Sequence, residues 1–338
     1  MKSTLGLREV KSMAKLITGG TGFVGAELAR TLAGRDEKII LFDLFPNRDR
    51  LEGIEGKVQI IPGDLKVGAE VFNVVRENQI EGIYHLGSML SVPSDANPWA
   101  SFQVNVQGTL QVLEAARLFG VGKVVFASTA GTYGLGTTGA VTDETLQRPI
   151  TMYGCGKLYC ELLGRFYHRK FGLDFRSVRY PSVIGPGVRT PGVAQYNAWM
   201  IESAFLEKPF ECYVSGETKI PVMYFKDAAR CTDMVYRAEK EKIRTMNYNV
   251  SGVTPTRTAR ELEAVVKKHM PGARITYRPQ PEVMEFFETL RMEEIDDRRA
   301  QEEWGWEPLY SDLERLVADF IEEMRSHPRR YGLATSGS

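Results

Sequence analysis

Short apolar runs alternate with longer amphipathic ones from Ala14 onward, the pattern of βα units that wind a parallel sheet. Residues 15–18, 38–42, 58–61, 82–86 and 123–127 are short and rich in Ile, Val and Leu. They read as buried parallel strands, apolar on both faces because helices cover both. Residues 24–33, 103–119 and 151–171 carry apolar positions at three- and four-residue spacing, which predicts crossover helices. Past Tyr180 the regularity weakens, and Pro181, Gly185, Pro186, Gly187, Pro191 and Gly192 break the chain into loops. A helix over 195–206, strands over 210–214 and 220–224, and helices over 226–238, 256–269 and 313–325 follow. The expected organisation is an α/β chain with a nucleotide-binding unit over 14–180 and a smaller C-terminal α/β substrate lobe over 181–330. Some segments of that lobe return to the first unit. Residues 1–13 are expected to be a flexible extension and 331–338 a disordered tail.

The loop after the first strand sharpens this reading. Gly19, Gly22 and Gly25 recur every three residues, directly after a strand and at the start of a helix that opens with Phe23 and Val24. Glycine permits the tight turn and the close backbone approach, and a helix N-terminus offers unpaired N–H groups to a pyrophosphate. The fold is therefore expected to be a Rossmann-type doubly wound parallel sheet. Asp43 closes the second strand, where an acid accepts hydrogen bonds from both hydroxyls of an adenosine ribose, which selects NAD over its 2′-phosphorylated form. Arg48 and Arg50 lie near enough to receive a 2′-phosphate instead. Asp64 and Leu65, after the third strand, are placed to reach the adenine edge, although an acid there also serves as a helix cap.

Tyr153 and Lys157 stand four residues apart on a predicted helix, so they share a face. An ammonium beside a phenol stabilises the phenolate and turns a poor base into a useful one. On its own this pairing is common on helix surfaces. Its value rises because Ser128 and Thr129 end the fifth strand, at the edge where open parallel sheets bind ligands. A hydroxyl there holds a substrate oxygen within reach of the tyrosine, or caps a turn.

Composition narrows the partners. The 338 residues carry 43 Lys plus Arg against 43 Asp plus Glu, so no overall basic field recommends nucleic acid or an anionic membrane. A small-molecule partner is expected. The four cysteines, Cys155, Cys160, Cys212 and Cys231, form no Cys-x-x-Cys pair, which suggests no metal site and no disulfide framework. A reducing cytoplasm is the expected setting. No apolar run approaches the length of a membrane span, and the stretch from Met1 to Ser12 lacks the apolar block of a secretory signal.

In order, the glycine loop, Asp43, Ser128-Thr129, Thr132-Tyr133-Gly134, Tyr153 with Lys157, and Arg179-Tyr180-Pro181 resemble the extended short-chain dehydrogenase/reductase family, the NAD-dependent epimerases and dehydratases. That resemblance covers nearly the whole chain. It implies that Thr129, with Ser128, orients substrate, that Tyr153 is the acid/base, and that Lys157 tunes Tyr153 and binds the nicotinamide ribose. By the same resemblance Asn105 supports the lysine, Leu86 and Gly87 line the ribose and nicotinamide, and Tyr180 borders the cofactor, while His85 is structural. A homodimer through helices 103–119 and 151–171 is the family expectation.

Within the family, residues 153–164, the phrase Arg179-Tyr180-Pro181, residues 221–224 and residues 303–306 look like the short-chain type of L-threonine 3-dehydrogenase. Ser91 falls where those enzymes place a substrate-contacting serine. Two departures bear on the substrate. Where they carry Thr-Thr-Asp-Tyr-Ala, this chain reads Val193-Ala194-Gln195-Tyr196-Asn197, exchanging two hydroxyls and a carboxylate for apolar and amide groups. Arg291 stands near the place of a tryptophan of those enzymes. Ser182, Gln195, Tyr196, Tyr224 and Arg291, with Ser91, are thus the expected substrate residues, and oxidation of threonine or a related secondary alcohol is the expected activity. The competing reading is a nucleotide-sugar epimerase or dehydratase that reduces and reoxidises NAD within one turnover. A non-catalytic cofactor sensor is disfavoured because the tyrosine and lysine are retained.

Overall fold

The computed structural model describes residues 13–333. The expectations for the extension before Met13 and for the tail past Leu333 lie outside the described residues, while Tyr331 and Leu333, expected in a disordered tail, are instead buried against apolar neighbours. In chain order the strands are β1 Ala14–Thr18, β2 Lys38–Asp43, β3 Val58–Pro62, β4 Ile80–His85, β5 Lys123–Thr129, β6 Thr138–Val141, β7 Asp174–Tyr180, β8 Ser182–Ile184, β9 Phe210–Cys212, β10 Val222–Tyr224, β11 Asn247–Asn249, β12 Ile275–Tyr277 and β13 Arg291–Ile295. Seven of them form one sheet in the order β11-β7-β5-β4-β1-β2-β3, and every pairing in it is parallel.

Parallel neighbours need crossover connections, and helices supply them. These include α1 Phe23–Ala33, α2 Gly68–Glu77, α3 Ser91–Ala96, α4 Pro98–Ser101, α5 Gly108–Leu118, α6 Met152–Phe171, α7 Tyr196–Phe205 and α8 Phe225–Arg237. Successive strand residues point to opposite faces. Ile17, Leu41 and Val125 therefore join one core with Leu28, Leu32 and Val235, while Leu16, Ile40 and Val124 join the other with Val74, Leu113 and Phe175. Each fully buried Leu or Ile contributes roughly 1.5–3 kcal/mol by leaving water. This is a Rossmann-type doubly wound sheet.

Order within the sheet sets the site. The chain winds β1, β2, β3 outward, then crosses back to lay β4 on the other side of β1. At that reversal the loops after β1 and β4 diverge and leave a crevice at the strand C-termini.

Three elements differ from the sequence reading. Helix 103–119 is divided: a π-helical turn over Phe102–Gln107 precedes α5. The wide turn carries Asn105, and π turns of this kind recur at functional sites. β7 holds two buried arginines, Arg176 and Arg179, whose charge hides a central strand from an apolar pattern. Asp174 neutralises Arg176 at 2.8 Å, and the carbonyls of Val235 and Ala238 at the C-terminal end of α8 accept from its Nη1. β11 reads Asn-Tyr-Asn and becomes a strand only by pairing with β7.

β8 pairs with β10, β9 with β12 and β6 with β13. Beside them Tyr196, Met200, Tyr224, Phe225, Leu316 and Phe320 pack a second core. Among the described residues no helix is long and apolar enough to cross a membrane.

Candidate active site

The crevice at the sheet reversal is a cleft of about 780 Å³. It runs from Asp43 and Asp64 past the start of α1 to Thr129 and Tyr153, and on to Ser182 and Gln195. Its floor is glycine for steric reasons. Gly19 has φ +64° and a Cβ there would lie 2.8 Å from the Cα of Gly87, so the β1 and β4 loops touch backbone to backbone. A Cβ on Gly25 would stand 2.2 Å from the Gly19 carbonyl oxygen. Gly22 is the N-cap of α1, and no side chain caps that helix. The first N–H groups, from Phe23, Val24 and Gly25, thus face the cleft without intrahelical partners.

Asp43 closes β2 at the cleft wall. Its Oδ2 accepts the Thr21 N–H at 3.0 Å and the Thr21 hydroxyl at 2.8 Å, and Oδ1 accepts the Phe45 N–H at 3.3 Å. A carboxylate has about four acceptor sites, so capacity remains for ribose hydroxyls. Thr21 was not among the sequence candidates, since nothing local marks a loop threonine that orients an acid 22 residues away. Leu65 and Asp64 line the same end, and Asp64 also accepts the Lys66 N–H at 2.9 Å, closing a local turn. Uncapped helix, glycine cradle and free acceptor together fit a dinucleotide.

Beneath Leu86 and Gly87 lies a fully buried relay. The Gly87 N–H donates to Thr18 Oγ1, which meets His85 Nδ1 at 2.7 Å, and His85 Nε2 meets Thr109 Oγ1 at 3.0 Å. Thr109 gives its own proton to the Asn105 carbonyl. His85 therefore donates from Nε2 and accepts at Nδ1, and burial pulls its pKa down to about 3. Asn105 does not line the cleft. Its side chain accepts the Met89 N–H at 2.7 Å and donates to the Met89 carbonyl at 2.9 Å, fixing the loop that borders Tyr153.

Thr151 caps α6 by accepting the Gly154 N–H at 3.0 Å, which sets Tyr153 and Lys157 in its first turns. Lys157 Nζ donates to the Ala127 carbonyl at 2.7 Å and lies 5.5 Å from the Tyr153 ring centroid. Burial pulls the Lys157 pKa down to about 8, against the pull of Cys160 and Glu161. Burial pushes the Tyr153 phenol up to about 12, and its hydrogen bond with Ser88 opposes that. Ser88, a cleft residue, was not a sequence candidate, because nothing in its immediate context distinguishes it from an ordinary loop serine.

The two hydroxyls ending β5 have different surroundings. Thr129 lines the cleft, and its Oγ1 accepts the Gly131 N–H at 3.0 Å. Ser128 lines the cleft as well, but its hydroxyl is engaged away from it. Its hydroxyl donates to Glu161 Oε1 at 2.5 Å, and Glu161 is gripped by Arg179 at 2.9 and 2.7 Å. A buried carboxylate requires such donors, and Ser128 is committed as one of them.

Of the expected substrate residues, Ser182 and Gln195 line the far end of the cleft, and the Gln195 Oε1 is buried without a partner among the described residues. Tyr180 also lines it, its hydroxyl bonded to Thr232. Three others are corrected. Tyr196 begins α7 and turns into the second core, fully buried, because one helical step rotates it away from Gln195. Tyr224 is fully buried between Tyr310 and Phe225. Arg291 is an exposed residue of β13 bonded to the Glu288 carbonyl. Ser91, the fourth expected residue, starts α3 directly after the cleft residue Leu90.

A family model for the NAD-dependent epimerase/dehydratase family matches residues 15–251. The chain is 31% identical to the mitochondrial L-threonine 3-dehydrogenase of Bos taurus over 325 residues, 95% of this chain and 85% of that one. The holo structure of a GalE-like L-threonine dehydrogenase from Cupriavidus necator superposes with a TM-score of 0.84 at 29% identity, covering 92% of this chain and 99% of that one. A UDP-glucose 4-epimerase from Thermotoga maritima shares the fold, with a TM-score of 0.80 at 24% identity over 93% of this chain and 99% of that one. On the glycine cradle, the Tyr153–Lys157 helix and these likenesses, the chain belongs to the NAD-dependent epimerase/dehydratase family.

Proposed function

We propose that this protein oxidises a small polar secondary alcohol with NAD, and that L-threonine, at its C3 hydroxyl, is the first substrate to test. One observation carries the proposal: Tyr153, Lys157 and Thr129 stand in a continuous cleft that also holds Asp43 and the uncapped start of α1. The relatives named threonine dehydrogenases support the substrate. When bound, NAD supplies a hydride acceptor. The Gly22–Gly25 turn would hold its pyrophosphate and Asp43 its adenosine ribose.

The chain supplies orientation and proton transfer. Because the Gly131 N–H occupies an acceptor site of Thr129 Oγ1, the threonine proton is free to donate to the substrate oxygen. Tyr153 takes the alcohol proton as a general base. Lys157 stabilises by charge the phenolate form of Tyr153 that accepts this proton, and the transfer leaves Tyr153 as the neutral phenol. The position of Lys157 is fixed from behind by the Ala127 carbonyl. Ser182 and Gln195 border the remainder of the substrate.

The test is NADH absorbance with threonine, other 3-hydroxy amino acids, hydroxy acids and small polyols. Turnover should fall by about 10²- to 10⁴-fold in Tyr153→Phe, the usual reach of general acid–base catalysis. Cofactor binding with no net NADH from any alcohol would favour the internal-redox epimerase reading instead.

The assembly is proposed as a homodimer through α5 and α6. Leu110, Tyr159, Leu162 and Phe166 are exposed there, an apolar stripe that a second copy would cover. A reducing cytoplasm is proposed from four cysteines that are all free.

A further inference from the structure

Among the described residues two cations of the cleft, Lys157 and Arg50, pair with no carboxylate, and only Arg50 lies outside the catalytic helix. Arg50 Nη2 reaches across to donate to the Gly187 carbonyl at 2.7 Å, and its guanidinium lies 5.6 Å from the Phe23 ring. Among the described residues it pairs with no acid, whereas its neighbours Arg30 and Arg189 pair with Glu27 and Glu202. A guanidinium has five N–H donors, so most remain available. Phe23 is the first residue of α1, and Arg50 lines the same cleft as Gly22, Phe23 and Val24. Two independent sources of positive charge thus line one cleft.

Arg50 also touches the other side. Gly187 donates its N–H to Glu202 Oε2 at 3.1 Å. Glu202 pairs with Arg189 at 2.6 Å, and Arg189 donates to the Tyr331 carbonyl at 3.1 Å. Arg189, Thr190 and Gln195 line the substrate end.

We propose that Arg50 grips the pyrophosphate of the dinucleotide and, through the Gly187 carbonyl, couples dinucleotide binding to the order of the 187–195 loop. This rests on the NAD reading above. A planar guanidinium suits two phosphate oxygens at once, and the same side chain spans both halves of the cleft. Coupling of this kind is reciprocal, so substrate and NAD tighten each other by one factor.

The experiment uses the full chain and reads binding rather than turnover. Calorimetry measures NAD and ADP-ribose affinity, and hydrogen exchange measures protection of amides 187–195 with and without NAD, in wild type, Arg50→Ala and Arg50→Lys. The Arg50 backbone is held by Arg30, which donates to its carbonyl at 2.9 Å, so the turn survives loss of the side chain. A melting curve checks this. The alanine variant should bind NAD and ADP-ribose about 10- to 100-fold more weakly, as for a lost charge-assisted hydrogen bond, and lose the NAD-induced protection. The lysine variant should recover part of the affinity through its charge and little of the protection. Unchanged affinity in folded Arg50→Ala overturns the grip and leaves the NAD reading intact. Lower affinity with full NAD-induced protection overturns the coupling. A wild type that binds neither ligand overturns this inference and the NAD reading together.

Discussion

Ser128 and Thr129 are adjacent hydroxyls whose fates separate on a single contact. Ser128 completes the shell of the buried Glu161–Arg179 pair, and removing one donor from such a carboxylate costs about 1–3 kcal/mol. Ser128→Ala should lower thermal stability by that amount and leave kcat/KM within several-fold. Thr129→Val should do the reverse, cutting kcat/KM by about 100-fold, the scale of a lost orienting group, with little change in melting temperature. Equal losses of kcat/KM in both variants would sink the distinction. The resemblance put Thr129 first, but no local feature of the sequence gives the reason, because the acid that engages Ser128 is 33 residues away.

β4 and the helix beside it are joined by the His85 relay, and that relay has a pH signature. Burial holds the His85 pKa at about 3, against an ordinary 6.5. The unfolded chain therefore takes up a proton near pH 6.5 while the folded chain resists until about pH 3. Its contribution to stability is complete above about 6.5 and is lost as pH falls through that window. Denaturant midpoints measured from pH 7.5 to 4 should decline, and His85→Gln should flatten the decline while lowering stability at pH 7 by about 1–3 kcal/mol through imperfect hydrogen bonds. An identical slope in the variant would assign the acid sensitivity to other groups. β4 was legible because its apolar residues, Ile80, Ile83 and Tyr84, follow a local pattern. The division of the next helix was not, since the π turn accompanies the bonds of Asn105 with distant Met89.

At the scale of the molecule, the exposed stripe on α5 and α6 bears on assembly. Leu162 is 57% exposed and Tyr159 53%, a burial opportunity that a twofold contact would use. Light scattering should give a dimer, and Leu162→Asp, which sets two carboxylates in a self-complementary face, should give a monomer that still binds NAD. A monomeric wild type would remove the proposal.

The sequence by itself determined what neighbours along the chain decide. The apolar runs of β1 to β5, the glycines that let two loops meet, the acid ending β2 and the four-residue spacing of Tyr153 and Lys157 all act through local geometry. Tertiary structure decided the rest. Charged β7 is a central strand because Glu161 and Asp174 neutralise its arginines, and β11 exists only by pairing with it. Tyr196 and Tyr224 went to the core and Gln195 to the cleft because the packing of the second core sets their rotation. Side chains such as Thr21, Ser88 and Arg50 acquire their place only when distant segments converge, and no spacing rule along one chain encodes that convergence.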